Sequence, residues 1–257
     1  GEYLGADNYV VAYKHVGEDK NIEKIAAPQI TPIETNREKQ SGFLTDVQNT
    51  EVTPIEPVFL DFDKDMSVSE FSDGIRLLYK KNLVNDITKV NCVYSLGTQG
   101  DPRLNLAFSY LGYLGTPSRS AEQINKDLYA LACNYSFSAG PTQSYFSVSG
   151  LDENVGKAME IVEDLILNAV PDENVLAALK MDELKNRADA KLGQRTCYRA
   201  LQTYIIYGPD FIKGSSLTDE QIASISSEEL LSLVKEVFYK QHDVLYYGPA
   251  GPKEAKA

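Results

Sequence analysis

Residues 113–140 read "YLGTPSRSAEQINKDLYALACNYSFSAG", and their order of signals decides how the chain folds. Ser120 precedes an amphipathic run and Gln123 follows three residues later, the signature of a capping box opening a helix over 120–131. "NYSFSAG" (134–140) then alternates apolar and polar residues, and "TQSYFSVSG" (142–150) does the same, so the two read as a hairpin with one buried face. Upstream, residues 103–113 read as a further helix. Before it, "VFLDF" (58–62), "GIRLLYK" (74–80) and "ITKVNCVYSL" (87–96) are short runs rich in β-formers between polar turns, read as adjacent antiparallel strands.

Downstream the period changes. "LDENVGKAMEIVEDLILNAV" (151–170) repeats apolar residues at helical spacing, and Pro171 ends it before a second helix, "PDENVLAALKMDELKNRADAKL". A third is expected over about 194–207, a fourth at "SSEELLSLVKEVF" (226–238), and the chain returns to a strand at "HDVLYYG" (242–248). Strands, then helices, then a closing strand imply an α+β fold: a mostly antiparallel sheet with helices packed on one face. The N-terminal part differs. "NYVVAYKHV" (8–16) is strand-like, and Pro28, Pro32, Pro54 and Pro57 punctuate a polar linker with room for a short helix near 37–48. The expected division is a strand plus linker over 1–57, a domain over 58–250, and a disordered tail over 251–257.

The chain has 257 residues, with 25 basic and 37 acidic side chains and a net charge of −12. That balance disfavours a polyanionic partner, so nucleic acid is not expected. No apolar run approaches the roughly 20 residues that span a bilayer, and the first residues lack the basic and apolar regions of a signal peptide. A soluble chain without a membrane partner is expected, its compartment unknown and periplasmic or secreted if a longer parent carries a signal peptide. Cys92, Cys133 and Cys197 are odd in number and widely spaced, which favours free thiols. His15 and His242, the two histidines, stand in no metal-binding spacing. "DFDKDM" (61–66) lacks the glycine and terminal glutamate of a calcium loop and reads as a solvated turn. No nucleophile elbow, phosphate loop or dinucleotide fingerprint appears.

The succession of hairpin, helix, "GTPSRSAEQI", helix, alternating hairpin and long amphipathic helices resembles the pitrilysin/insulinase family of zinc peptidases, which includes the processing peptidases. The resemblance rests on residues 113–140, on "LDENVGKAMEIVEDLI" (151–166) and on "VLYYGP" (244–249), and spans about 58–250. It implies the metallohydrolase fold of processing peptidases. In catalytic members the helix before the Gly-Thr pair carries an inverted H-x-x-E-H motif, two histidines on zinc and a glutamate as general base. The spacing has a physical cause: residues at i and i+4 share a helical face, so two imidazoles converge on one metal beside the i+3 carboxylate.

Those positions hold Leu106, Ser109 and Tyr110. Leu106 has no donor atom, Ser109 is a poor base at neutral pH, and Tyr110 would have to shed a proton with a reference pKa near 10. Glu183 is the nearest candidate for the family's third ligand, and a lone carboxylate does not hold zinc. The sequence therefore names no catalytic or metal-binding residue, and expects Leu106, Phe108, Tyr110 and Leu111 to pack as a core face. What the resemblance implies is a non-catalytic domain from the second half of a larger zinc metalloendopeptidase, forming part of the chamber that holds the peptide. Zinc is then expected in the parent's catalytic half, not in this chain. The partners would be that half, in the same polypeptide or a homologous subunit, and the peptide substrate, with "TQSYFSVSG" as a sheet edge for it to pair with. The alternative is a structural or assembly subunit of the same fold that never touches substrate. "QTYIIYGPDF" (202–211) suits an interface or a core equally.

Overall fold

A computed structural model describes residues 9–14, 16–17, 26–32, 35, 39–72 and 74–256. The chain divides into two units, residues 1–57 and 58–257. In the first, the described residues hold one helix, α1 (Gly42–Asn49), opened by Ser41, whose side chain accepts the Leu44 amide at 3.2 Å. The strand expected at 8–16 is not formed over residues 9–14, which have no regular secondary structure. Asn8 and His15 lie outside the described residues.

The second unit begins with a correction. "VFLDF" is not a strand: residues 58–60 have no regular structure, and Asp61 caps a single helical turn, α2 (Phe62–Asp65). Three strands follow, β1 (Ser67–Ser72), β2 (Ile75–Lys81) and β3 (Ile87–Tyr94). Next come helices α3 (Leu104–Leu111) and α4 (Ala121–Ala130), then the hairpin strands β4 (Cys133–Ala139) and β5 (Ser144–Leu151). Helices α5 (Asp152–Asn168), α6 (Glu173–Ala190), α7 (Gln194–Ser215), α8 (Asp219–Ser224) and α9 (Ser227–Phe238) lead to the last strand, β6 (His242–Gly248). Ser120 does cap α4, accepting the Gln123 amide at 3.1 Å. The Gln123 side chain turns instead to Asp127 at 2.6 Å, leaving the expected capping box half made.

The six strands form one sheet in the order β1-β2-β6-β3-β5-β4. All neighbours are antiparallel except β2 and β6, whose parallel register runs from Arg76↔Asp243 to Lys81↔Gly248. β2 and β3, read from sequence as adjacent, are therefore separated by the C-terminal strand. A parallel pair requires a crossover, and the whole helical region supplies it.

Helices cover one face of this sheet. Leu77, Tyr79, Val90, Tyr94, Phe146, Val148 and Tyr246 are buried there against Phe108, Leu111, Leu165, Leu230, Val234 and Val237. Phe146 sits at the centre of the aromatic packing, 5.0 Å from Tyr94, 5.1 Å from Phe137 and 5.3 Å from Phe108. Each such side chain contributes on the order of 1.5–3 kcal/mol by leaving water. The opposite face is open and mixed, with Lys89, Asn91, Ser147, Ser149, Asn134, Ser136 and Ser138 beside the apolar Leu78, Val93, Tyr145, Leu245 and Tyr247, all half-buried or exposed. Residues 251–256, expected as a disordered tail, form a turn in which the Gly251 amide donates to Glu254 at 2.9 Å and Ala255 packs against the core.

Candidate functional site

The helix in the position of a zinc-binding helix is α3. It is short and held by its apolar face: Leu104, Ala107, Phe108, Tyr110 and Leu111 are all buried. Leu106 is half-buried against the same core, and Ser109 is exposed. Tyr110 is fully buried, and its hydroxyl makes two bonds to one residue, accepting the Asp172 amide at 2.8 Å and donating to the Asp172 carbonyl at 3.2 Å.

This pairing has a structural purpose. Asp172 is the N-cap of α6 and accepts the Asn174 and Val175 amides. Tyr110 therefore fastens the turn between α5 and α6 to α3, accepting the Asp172 amide and adding a second donor to the Asp172 carbonyl, which also takes the Leu176 amide. Burial pushes its phenol above the ordinary value, further from the phenolate a metal would need.

The "GTPSR" segment after α3 is equally committed. The Thr116 amide donates to the Arg119 carbonyl at 2.8 Å, and the Val170 amide to the Gly115 carbonyl at 2.9 Å. A side chain at Gly115 would collide with the Arg119 carbonyl, so this close backbone approach requires glycine. Asp164 on α5 gathers Thr116 (3.1 Å), Ser118 (3.3 Å), Arg119 (3.5 Å) and Asn168 (2.9 Å), and these bonds, Asn168's foremost, hold its carboxyl below the usual range.

Glu183 lies about 15 Å of helix rise beyond the start of α6. Its carboxylate accepts from Arg187 at 2.8 Å, and Arg187 continues to the Leu217 carbonyl and Asp219, tying α6 to α8. His242 opens β6 with its ring 4.7 Å from Tyr94 and its Nδ1 2.9 Å from the Lys240 carbonyl. Asp61 and Asp65 are engaged by Lys64 at 2.7 Å and Lys80 at 3.2 Å. Among the described residues, no three His, Cys, Asp or Glu side chains come together where they could hold a metal ion. Nor is any helix among them long and apolar enough to cross a membrane.

The sheet edge also needs correcting. "TQSYFSVSG" forms β5, which is paired on both sides, to β3 and to β4. The free edge is β4, with β1 at the other end of the sheet. Both hairpin strands alternate in sequence, and alternation reports the buried face without saying which strand ends the sheet.

No family model matches the chain. An uncharacterized zinc protease of Rickettsia bellii (strain RML369-C) is 23% identical over 119 residues, which cover 44% of this chain and 29% of that protein. Among solved structures, the periplasmic protease PqqL from Escherichia coli superposes with a TM-score of 0.60 at 16% identity, over 82% of this chain and 26% of that one. An inactive domain of peptidase M16 from Pseudomonas fluorescens superposes with a TM-score of 0.63 at 14% identity, over 75% of this chain and 48% of that one. The chain thus spans between about a quarter and a half of these relatives. Its fold is that of the M16 peptidases, the zinc-peptidase group its sequence resembles, inactive domains among them.

Proposed function

We propose that the chain supplies a non-catalytic domain to a larger zinc metallopeptidase and forms part of the wall of its peptide-holding chamber. The observation that carries this reading is Tyr110. At the position of a family zinc ligand stands a fully buried phenol that spends both its hydrogen bonds on the α6 cap. In this reading residues 58–250 are the peptidase-like domain, 17–57 the crossing between halves, and the zinc chemistry is performed by residues of the other half. The parent would be periplasmic or secreted if it carries a signal peptide, in keeping with the periplasmic E. coli relative.

The open sheet face supports a wall role. Ser147 donates to Asn91 at 2.6 Å and Ser149 to Asn134 at 2.9 Å, so the face offers small hydrogen-bonding groups set beside apolar side chains such as Val93 and Tyr145. Such a surface receives an extended peptide, and the β4 edge can add backbone hydrogen bonds. A second reading, a purely structural subunit, is favoured by the exposed apolar side chains of α7.

Two measurements test these readings. After equilibration with stoichiometric zinc and removal of loose metal, mass spectrometry should find none retained, and near-stoichiometric zinc would overturn the non-catalytic assignment. An immobilised chain should bind a pool of unstructured peptides weakly and with little sequence preference, and no binding would leave the structural reading in place.

A further inference from the structure

Helix α7 is the least buried long element of the molecule. None of its described side chains is buried, although it spans 22 residues. Tyr198 (59% exposed), Leu201 (54%), Tyr204 (52%) and Ile205 (71%) fall within one stripe, the 198, 201, 205 spacing of three and four residues matching the seam of a helix pair. Ile206 and Tyr207 extend the apolar surface to Gly208, where φ of 78° and the following Pro209 kink the helix. An isolated amphipathic helix is marginal in water, and an exposed contiguous apolar patch marks a binding surface.

The charge around the stripe says what kind of surface fits it. The chain carries 37 acidic residues in 257, yet residues 190–209 contain none. Within that span lie Lys191, Arg195 and Arg199, all exposed, and none is in an ion pair among the described residues. Arg195 and Arg199 are one turn apart and border Tyr198 on the same flank of the helix. Arg187 bonds Glu183 and Asp219 and Lys180 bonds two backbone carbonyls, whereas the exposed Lys185 on α6 is likewise in no ion pair among the described residues. Tyrosine and arginine are also the residue types that dominate the binding energy of protein interfaces.

We propose that α7 docks an acidic amphipathic helix of a partner domain, with Tyr198, Leu201 and Ile205 in the apolar seam and Arg195 and Arg199 facing carboxylates beside it. This goes beyond the chamber-wall reading and stands whether or not the sheet contacts peptide. Cys197, exposed on the same stripe, reports occupancy directly, because Cys133 is buried and Cys92 is half-buried with its thiol pushed up to about 11 by desolvation.

The experiment follows alkylation of Cys197 by a maleimide in the full chain. The probes are a synthetic amphipathic helix with leucines on one face and glutamates beside them, the same peptide with lysines for glutamates, and phosphatidylserine-containing vesicles. The glutamate peptide should slow alkylation several-fold at low ionic strength, with the effect fading as salt rises. The lysine peptide should do nothing, and Arg195→Glu with Arg199→Glu should exchange the two responses. Circular dichroism unchanged by these surface substitutions shows that the fold is intact, and Leu201→Ser with Ile205→Ser should abolish protection by either peptide. Equal protection by both peptides, protection by vesicles alone, or none by any probe would each overturn the proposal.

Discussion

Helices α3 and α7 are both rich in Leu, Tyr and other apolar residues, and the molecule treats them in opposite ways. In α3, eight residues long and without a side-chain cap, five residues are buried and one tyrosine hydroxyl serves two backbone groups of another turn. In α7, nearly three times that length, no described side chain is buried and three tyrosines face solvent. Apolar periodicity therefore states that a face wants a partner without saying whether the domain itself provides one. In α3 the partners are α9, β4 and α6. For α7 no such partner buries a described side chain, and that unpartnered face with its flanking positive charge is what the docking proposal rests on.

The contrast can be broken most directly through the thiols. Cys197 on α7 should react with a maleimide at neutral pH, while Cys133 should react only through unfolding, slower by a factor on the order of 10³ or more. Burial also pushes the Cys92 thiol up to about 11, so its thiolate is scarce at neutral pH. Mass spectrometry of the labelled chain over time checks all three, and early labelling of Cys133 would mean that the core packing against β4 is looser than its burial implies.

Truncation should separate the two helices energetically. Leu111→Ala, at a fully buried position, should cost about 2–5 kcal/mol in chemical denaturation, whereas Leu201→Ala on α7 should stay within about 0.5 kcal/mol. Comparable losses at both sites would show that α7 is packed within the isolated chain. Tyr110→Phe sharpens the assignment of α3. It leaves the volume intact and deprives the Asp172 amide of its acceptor, while the Asp172 carbonyl keeps the Leu176 amide, an expected loss of about 1–3 kcal/mol. A neutral result would mean that the hydroxyl does not anchor the α6 cap.

The smallest effect concerns the sheet. Arg76 on β2 pairs with Asp243 on β6 at 2.5 and 2.8 Å, and this bond foremost holds the Asp243 carboxyl below its ordinary range. A carboxylate with a depressed folded-state pKa contributes stability above its unfolded value, near 3.9, and loses it as pH falls through the folded value. Arg76 is largely exposed and the pair is screened, so Arg76→Gln should have only a small destabilising effect at neutral pH. The gap between variant and wild type should close in acid, and a gap that persists at low pH would point to lost packing of the arginine stem.

Much of the second unit is legible in the residues. Ser120 before "AEQINKDLYA", Ser226 before "SEELLSLVKEVF" and the alternation of "SYFSVSG" are local signals, and local hydrogen bonds or a single buried face satisfy them wherever the segment lies. What escaped the sequence is set by distant partners. "VFLDF" and "NYVVAYKHV" have strand-like composition, yet residues 58–60 and 9–14 form no strand, while "SVSEFS", poorer in β-formers, becomes β1 because β2 lies beside it. The free edge passed from β5 to β4 for the same reason. Leu106, Ser109 and Tyr110 could be named from their place before Gly115, and their chemistry argued against a metal. That Tyr110 anchors α6 follows only from Asp172, 62 residues away in the chain.

Capping, periodicity and the donor inventory of side chains act within a few residues, so the main helices, the hairpin, the α+β class and the lack of ligand chemistry on α3 are written in the chain itself. Which strands neighbour one another, which tyrosine is buried and which exposed, and which of the described arginines stand outside any ion pair were settled only in the folded molecule. Those outcomes depend on contacts between segments far apart in the chain, whose energies no local pattern encodes.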